Sequence, residues 1–142
     1  MAAPYAISDT AFDTALNYLA NNCDKVVVLD ADPGIGTSGY SDANTNNGTG
    51  SGMKLAEVAS LTNANFTLAD RSGGGRKVTV DAQTNVAVVA AGDASHIAWL
   101  DTSNTEVLFT TQLTVARSGL TTSDTLDIPA HFAAILDAVV AS

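Results

Sequence analysis

Two aspartates separated by a single residue come closest to a metal site in this sequence. Asp30 and Asp32 follow residues 25–29, a β-branched run that predicts a buried strand. Carboxylates two residues apart at the end of a strand can both reach a cation such as Ca²⁺, with Asp42 or loop carbonyls completing the oxygen shell. The spacing is not that of an EF-hand loop, and no further acidic cluster follows nearby. We therefore expect solvated turn carboxylates and no bound metal.

Residue types used in covalent and acid–base catalysis are scarce. The chain has two histidines, His96 and His131, and one cysteine, Cys23. Neither histidine stands in a recognisable motif with a serine, cysteine or carboxylate partner. We expect His96 to be a partly buried, hydrogen-bonded core histidine and Cys23 to be a small buried hydrophobe. The sequence thus predicts no catalytic residues and no cofactor, and a protein that is not an enzyme.

Three glycines, Gly34, Gly36 and Gly39, have the spacing of a dinucleotide-binding fingerprint and follow the strand at 25–29. In that fingerprint the glycines open a helix whose N-terminus binds the pyrophosphate. Residues 41–52 are rich in Asn, Ser, Thr and Gly and predict no helix. We therefore expect no nucleotide at this position.

The aromatic residues leave one alternative open. Trp99 falls in a predicted strand, where we expect it to anchor the core. Alternatively, Trp99, Tyr40 and the Asn/Asp-rich loop could form a sugar-binding groove, which would make the chain a carbohydrate-binding module.

Length and charge limit the number of domains and the kinds of partner that the chain can have. The 142 residues include 6 Lys and Arg against 15 Asp and Glu, for a formal net charge of −9, and suit a single domain, 1–142. Nucleic acid and anionic membranes are bound by clustered basic side chains, so we expect neither as a partner. The N-terminal residues lack the basic start and apolar run of a signal peptide. We therefore expect synthesis in a cytoplasm.

Hydrophobic periodicity predicts one helix and a series of short strands. Residues 8–22 place apolar side chains at helical spacing after Ser8 or Asp9, either of which can cap the first N–H groups. Beyond residue 53, short apolar runs alternate with turns. The predicted strands are 25–29, 54–60, 65–68, 77–80, 86–91, 96–101, 107–115 and 125–128. We predict a mainly β domain, an antiparallel β-sandwich or barrel-like fold with an N-terminal α-helix, its strands within 53–130. Residues 129–140 fit either a short helix or a closing strand.

Two segments are candidate contact surfaces. Residues 31–51 predict a long flexible loop, since they are too poor in apolar side chains to fold alone, and loops of this length are usually functional or mobile. Residues 71–77 hold the only concentrated basic feature, around a Gly-rich turn, and could pair with an acidic neighbour across an assembly interface. The candidate interface residues are Tyr40, Asn46, Asn47, Arg71, Arg76 and Lys77.

Several sequence segments resemble those of a class of small virion proteins from tailed bacteriophages. The resemblance lies in ADRSGGGRKVTV at 69–80, ASHIAWLD at 94–101 and DIPA at 127–130, and extends to the N-terminal stretch 8–22. The ending at 131–136, HFAAIL, departs from the more strand-like ending of the class. The resemblance implies a β-rich scaffold without catalytic residues.

Proteins of this class look like head-decoration or other accessory particle proteins. The resemblance therefore implies a capsid decoration (cement) protein that binds the outside of the head and stabilises the shell. Its partners would be the major capsid protein and copies of itself, in a homotrimer or other symmetric oligomer. A tail, neck or fibre-associated subunit is the alternative within the virion.

Overall fold

The computed structural model describes residues 7–136, beginning with helix α1 (Asp9–Asn22). The Ser8 side chain caps this helix by accepting a hydrogen bond from the backbone N–H of Ala11, at 3.3 Å. Phe12, Leu16 and Ala20 form its buried face. The predicted helix is confirmed, with Ser8 as its N-cap.

The rest of the fold consists of antiparallel sheets. The strands are β1 (Lys25–Leu29), β2 (Lys54–Val58), β3 (Phe66–Asp70), β4 (Arg76–Val80), β5 (Gln83–Ala87), β6 (Gly92–Asp101), β7 (Glu106–Leu120), β8 (Thr125–Ile128) and β9 (His131–Ile135). They form a four-stranded sheet β2-β1-β6-β7, a three-stranded sheet β3-β4-β9 and the pair β5-β8. A short helix, α2 (Tyr40–Asn44), and a 3-10 turn (Asn63–Asn65) lie between strands. The predicted fold class is confirmed.

Trp99 on β6 joins the four-stranded sheet to the three-stranded one. Its side chain has no exposed surface, and its ring centroid lies 5.3 Å from that of Phe66 on β3 and 4.9 Å from that of Phe109 on β7. Aromatic pairs at these distances add specific geometry to apolar burial. The prediction that Trp99 anchors the core is confirmed.

A bent two-stranded ribbon links the smaller sheets. Val80 pairs with His131, and three residues further on Gln83 pairs with Ile128, so β4–β5 and β9–β8 keep one register across a bend. Pro129 lies in that bend, between β8 and β9. Proline has no backbone N–H, and at this position none is needed for strand pairing.

Residues 31–51 differ from their prediction. They are not simply a loop: α2 lies among them, Ala43 is fully buried, and Gly36 exchanges two backbone hydrogen bonds with Val107 at 3.0 and 2.8 Å. This covering segment (residues 31–51) packs on the face of the four-stranded sheet formed by Val27 and Leu29. The prediction of no helix after Gly39 was wrong, because contacts with the sheet, rather than helix propensity, hold this single turn.

The structure also decides between a short helix and a closing strand at the end of the described chain. Residues 131–135 form strand β9, paired along its length with β4. The short-helix alternative is therefore wrong for these residues, and residues 137–140 lie outside the described part. Elsewhere, β5 starts three residues and β6 four residues before the predicted positions.

Candidate interaction surface

The three-stranded sheet exposes one face. Side chains alternate along a strand, and Val78, Val80 and Ala133 point into the core. Their neighbours form two rows on the opposite side, which we call the outer face: Thr67, Thr79 and Phe132, then Ala69, Lys77 and Ala134.

Lys77 and Phe132 combine a cation with apolar surface on this outer face. The Lys77 ammonium lies 5.1 Å from the centroid of the Phe132 ring, a geometry worth about 0.5–1 kcal/mol at an exposed site. Phe132 is nevertheless 46% exposed, and Leu136, the residue that follows β9, is 58% exposed. An exposed aromatic ring in contact with a cation is suited to contact with another protein.

The Gly-rich turn borders the outer face and presents Arg71. Gly73, Gly74 and Gly75 all have positive φ, between 89° and 103°, a conformation that favours glycine. The Arg71 N–H donates to the carbonyl of Gly75 at 2.9 Å and closes the turn. Arg71 forms no ion pair with a described residue, and its guanidinium donates to the carbonyl of Ser72 at 3.4 Å.

Arg76, the third basic residue of this segment, is bound within the chain. Its guanidinium donates to both carboxylate oxygens of Asp13 on α1, at 2.7 and 3.0 Å, and also to Asp70. These hydrogen bonds, the one to Asp13 first, raise the pKa of the Arg76 guanidinium. Arg76 therefore ties α1 to the three-stranded sheet, and the free positive charge of the predicted basic segment lies on Arg71 and Lys77.

The loop candidates lie on another part of the molecule. Tyr40 packs against the covered face of the four-stranded sheet, and burial, followed by the charges of Asp24 and Asp101, raises the pKa of its hydroxyl. Asn46 is exposed and donates to Asp42 at 2.7 Å, and Asn47 is also exposed. The covering segment contacts the four-stranded sheet, whereas the Gly-rich turn belongs to the three-stranded one. The two predicted surfaces are therefore separate.

A partly buried cluster of charges holds the covering segment in place. The Lys54 ammonium lies 2.5 Å from Glu57 and donates to the Asn44 carbonyl at 2.7 Å. Lys25 donates to the Asn44 side chain at 2.8 Å and lies 3.1 Å from Glu57. Burial opposes ionisation of Glu57, but its contacts with Lys54 and Lys25 outweigh that effect and lower its pKa.

Sequence reasoning missed this cluster. Lys54 is only 7% exposed, and its three-residue spacing from Glu57 gave no signal, because side chains three apart in a regular strand point to opposite faces. Their contact with the end of α2 depends on the fold.

Asp30 and Asp32, the two candidate metal ligands, accept hydrogen bonds from different sets of backbone N–H groups. Asp30 accepts hydrogen bonds from the N–H groups of Gly50, Gly52 and Met53, the last two at 3.1 and 2.8 Å. Asp32 caps its own turn through the N–H of Gly34 at 2.9 Å. Within residues 7–136, no group of three or more His, Cys, Asp or Glu side chains could hold a metal ion.

His131 has both ring nitrogens engaged. The Trp99 indole N–H donates to its Nε2 at 2.8 Å, and Nδ1 lies 2.9 Å from the Pro129 carbonyl. Because an indole can only donate, Nε2 must be unprotonated and Nδ1 must carry the proton. Burial lowers the pKa of His131.

Ser95 and His96 are adjacent but do not form a nucleophile and base. The Ser95 hydroxyl donates to the Asp30 carbonyl at 2.7 Å, so its oxygen is left to accept from His96 Nδ1 at 2.8 Å. A catalytic serine would instead donate to the histidine.

Cys23 is 2% exposed, and burial raises its pKa to about 12. It is the small buried hydrophobe that the sequence predicts.

Comparison with protein-family models, curated proteins and solved structures gave no match for this chain. Within residues 7–136, neither helix has the length and hydropathy needed to cross a bilayer.

Proposed function

We propose that this chain is a bacteriophage virion structural protein, a capsid decoration protein that binds the outside of the head and stabilises the shell. The observation that carries the proposal is the exposed outer face, where the Lys77 ammonium lies over the Phe132 ring. The Gly-rich turn that joins β3 to β4 at the border of this face begins at Arg71. The resemblance of residues 69–80, 94–101 and 127–130 to tailed-phage virion proteins directs that surface to a viral particle. The role is one of binding rather than catalysis, without a cofactor, nucleic acid or membrane.

The charge distribution supports an acidic site on the partner. The chain has a net charge of −9, and three of its basic residues, Lys25, Lys54 and Arg76, are bound in ion pairs. Arg71 and Lys77 are thus a local positive area on an acidic molecule. Such an area orients the molecule on a negatively charged surface and repels wrong partners. The proposed partner is an acidic site on the major capsid protein of the assembled head.

Preferential binding to assembled shells supplies the stabilisation. A ligand that binds only the assembled state lowers its free energy by about 2.7 kcal/mol when present at 100 times its dissociation constant. The chain would be made in the bacterial host cytoplasm and become part of the virion when heads have assembled.

Co-sedimentation with heads that lack this protein tests the proposal. We expect Phe132→Asp and Lys77→Glu each to weaken binding at least about tenfold, as for residues at the centre of an interface. The matched control is Ile35→Asp, because Ile35 is 59% exposed on the covering segment and its replacement should leave binding unchanged. A point substitution is preferable to a deletion there, since removing the segment would uncover Val27 and Leu29.

Two outcomes would contradict the assignment in different ways. Loss of binding with Ile35→Asp but not with Phe132→Asp would move the contact to the covering segment. Failure of the unaltered chain to bind heads would overturn the decoration role. The carbohydrate-binding alternative has lost its central aromatic, since Trp99 is buried and cannot stack on a sugar.

A further inference from the structure

Strand β7 forms an open edge of the four-stranded sheet. Only β6 pairs along it, and the covering segment shields its other side at one point, where Gly36 bonds to Val107. No other described strand pairs with this edge. Open edges attract further protein, and natural proteins usually modify them.

A bulge modifies this edge. His96 pairs with Gln112 but Ala94 pairs with Arg117, so Ser95 alone stands opposite residues 113–116. The extra residues push β7 outward and interrupt regular strand pairing. Val115 lies in the bulge and is 73% exposed.

A groove of about 290 Å³ lies beside the bulge. Leu113, Thr114, Val115, Arg117, Asp127 and Pro129 line it. The backbone N–H of Asn85 donates a hydrogen bond to one carboxylate oxygen of Asp127, at 2.8 Å. Arg117 makes no ion pair or side-chain hydrogen bond with another described residue. The groove therefore has a protruding apolar side chain, an apolar lining and one unpaired charge of each sign.

We propose that this groove binds a second copy of the chain across a two-fold axis. A two-fold contact uses the same patch on both molecules, so the patch must complement itself. This one does: Val115 of each copy can enter the groove of the other between Leu113 and Pro129, while Arg117 of each faces Asp127 of the other. One Arg and one Asp also make the patch locally neutral, which minimises repulsion between two chains of charge −9. The bulge makes the contact one of side chains rather than of paired strand edges.

The groove and the outer face have no residue in common, so association of two copies and particle binding can be tested by different substitutions. The two-fold contact also differs from the homotrimer expected from the phage resemblance. A ring of three requires two different patches on each copy.

Sedimentation of the purified full-length chain, at concentrations up to about 1 mM, tests the proposal. We expect a reversible dimer, weakened at least about tenfold by Val115→Asp. Arg117→Asp should also weaken it, and Arg117→Asp combined with Asp127→Arg should restore much of the loss. Val89→Asp is the matched control, since Val89 is 38% exposed and does not line the groove, and it should leave the dimer intact. Circular dichroism of each variant separates lost association from lost folding.

A monomer at every concentration, a trimer, or a dimer that folded Val115→Asp leaves unchanged would overturn the inference. None of these results depends on whether the chain binds heads.

Discussion

The contact between Trp99 and His131 links the two larger sheets through a group that can titrate. Trp99 is fully buried on β6, and His131 begins β9. The indole N–H requires an acceptor, and only neutral histidine provides one at Nε2. Protonation would place two N–H groups against each other, so the contact depends on pH.

The first prediction concerns this pH dependence. Burial lowers the pKa of His131, so the unfolded chain takes up a proton more readily than the folded one. The stabilising contribution is therefore complete above the usual pKa of about 6.5 and decreases as the pH falls through that value, until native His131 itself titrates.

Urea unfolding between about pH 7.5 and about pH 5.5, on either side of that usual pKa, provides the measurement. The unaltered chain should lose more free energy of unfolding over this range than His131→Gln, in which the group cannot titrate. Equal losses in both proteins would show that His131 does not control the contact.

Some residue roles could be predicted from the sequence and others could not. Trp99 lies within an apolar strand pattern and Cys23 lies next to one. Such patterns predict burial. Asp30 looked like half of a metal site, because its type and position are compatible with ligation. Its three N–H partners lie 20 to 23 residues away, and only the fold brings them together.

At the scale of elements, α2 shows how a helix can form without a helical sequence signal. Its five residues, YSDAN, have no apolar periodicity. Ala43 packs on the sheet, and Lys54 and Lys25 bind Asn44 at the end of the helix. The opposite case is β9, whose Ala-rich sequence fits a helix but whose pairing with β4 makes it a strand.

The second prediction tests this cluster through Lys54→Met, which keeps the apolar stem and removes the ammonium. The Asn44 carbonyl and Glu57 would each lose a partner, at an expected cost of about 1–3 kcal/mol in the free energy of unfolding. Amide hydrogens of residues 40–47 should exchange faster in Lys54→Met than in the unaltered chain, and those of β1 should change less.

Chemical denaturation and hydrogen exchange provide the two readouts. Arg117→Met is the control, because Arg117 is exposed and makes no ion pair with another described residue, so its replacement should change stability by no more than about 0.5 kcal/mol. If Lys54→Met is no less stable than this control, the cluster does not hold the covering segment.

At the scale of the whole molecule, its potential contacts are divided between the two larger sheets. The outer face of the three-stranded sheet carries free positive charge and exposed apolar side chains, and we assign it to the particle. The bulged edge of the four-stranded sheet carries a self-complementary groove, and we assign it to a second copy. Of the basic residues that the sequence singled out at 71–77, Lys77 lies on the outer face, whereas Arg76 is bound to α1. The sequence could not predict the groove, because β7 and the bend at Pro129 approach each other only in the folded chain.

The most direct test of the decoration role is the copy number of this chain in purified particles of its source, measured by quantitative mass spectrometry against the major capsid protein. We predict a copy number close to that of the capsid protein, since a decoration protein covers the whole shell. A number close to that of the tail components would place the chain in the neck, tail or fibres, and its absence from particles would contradict a virion role altogether.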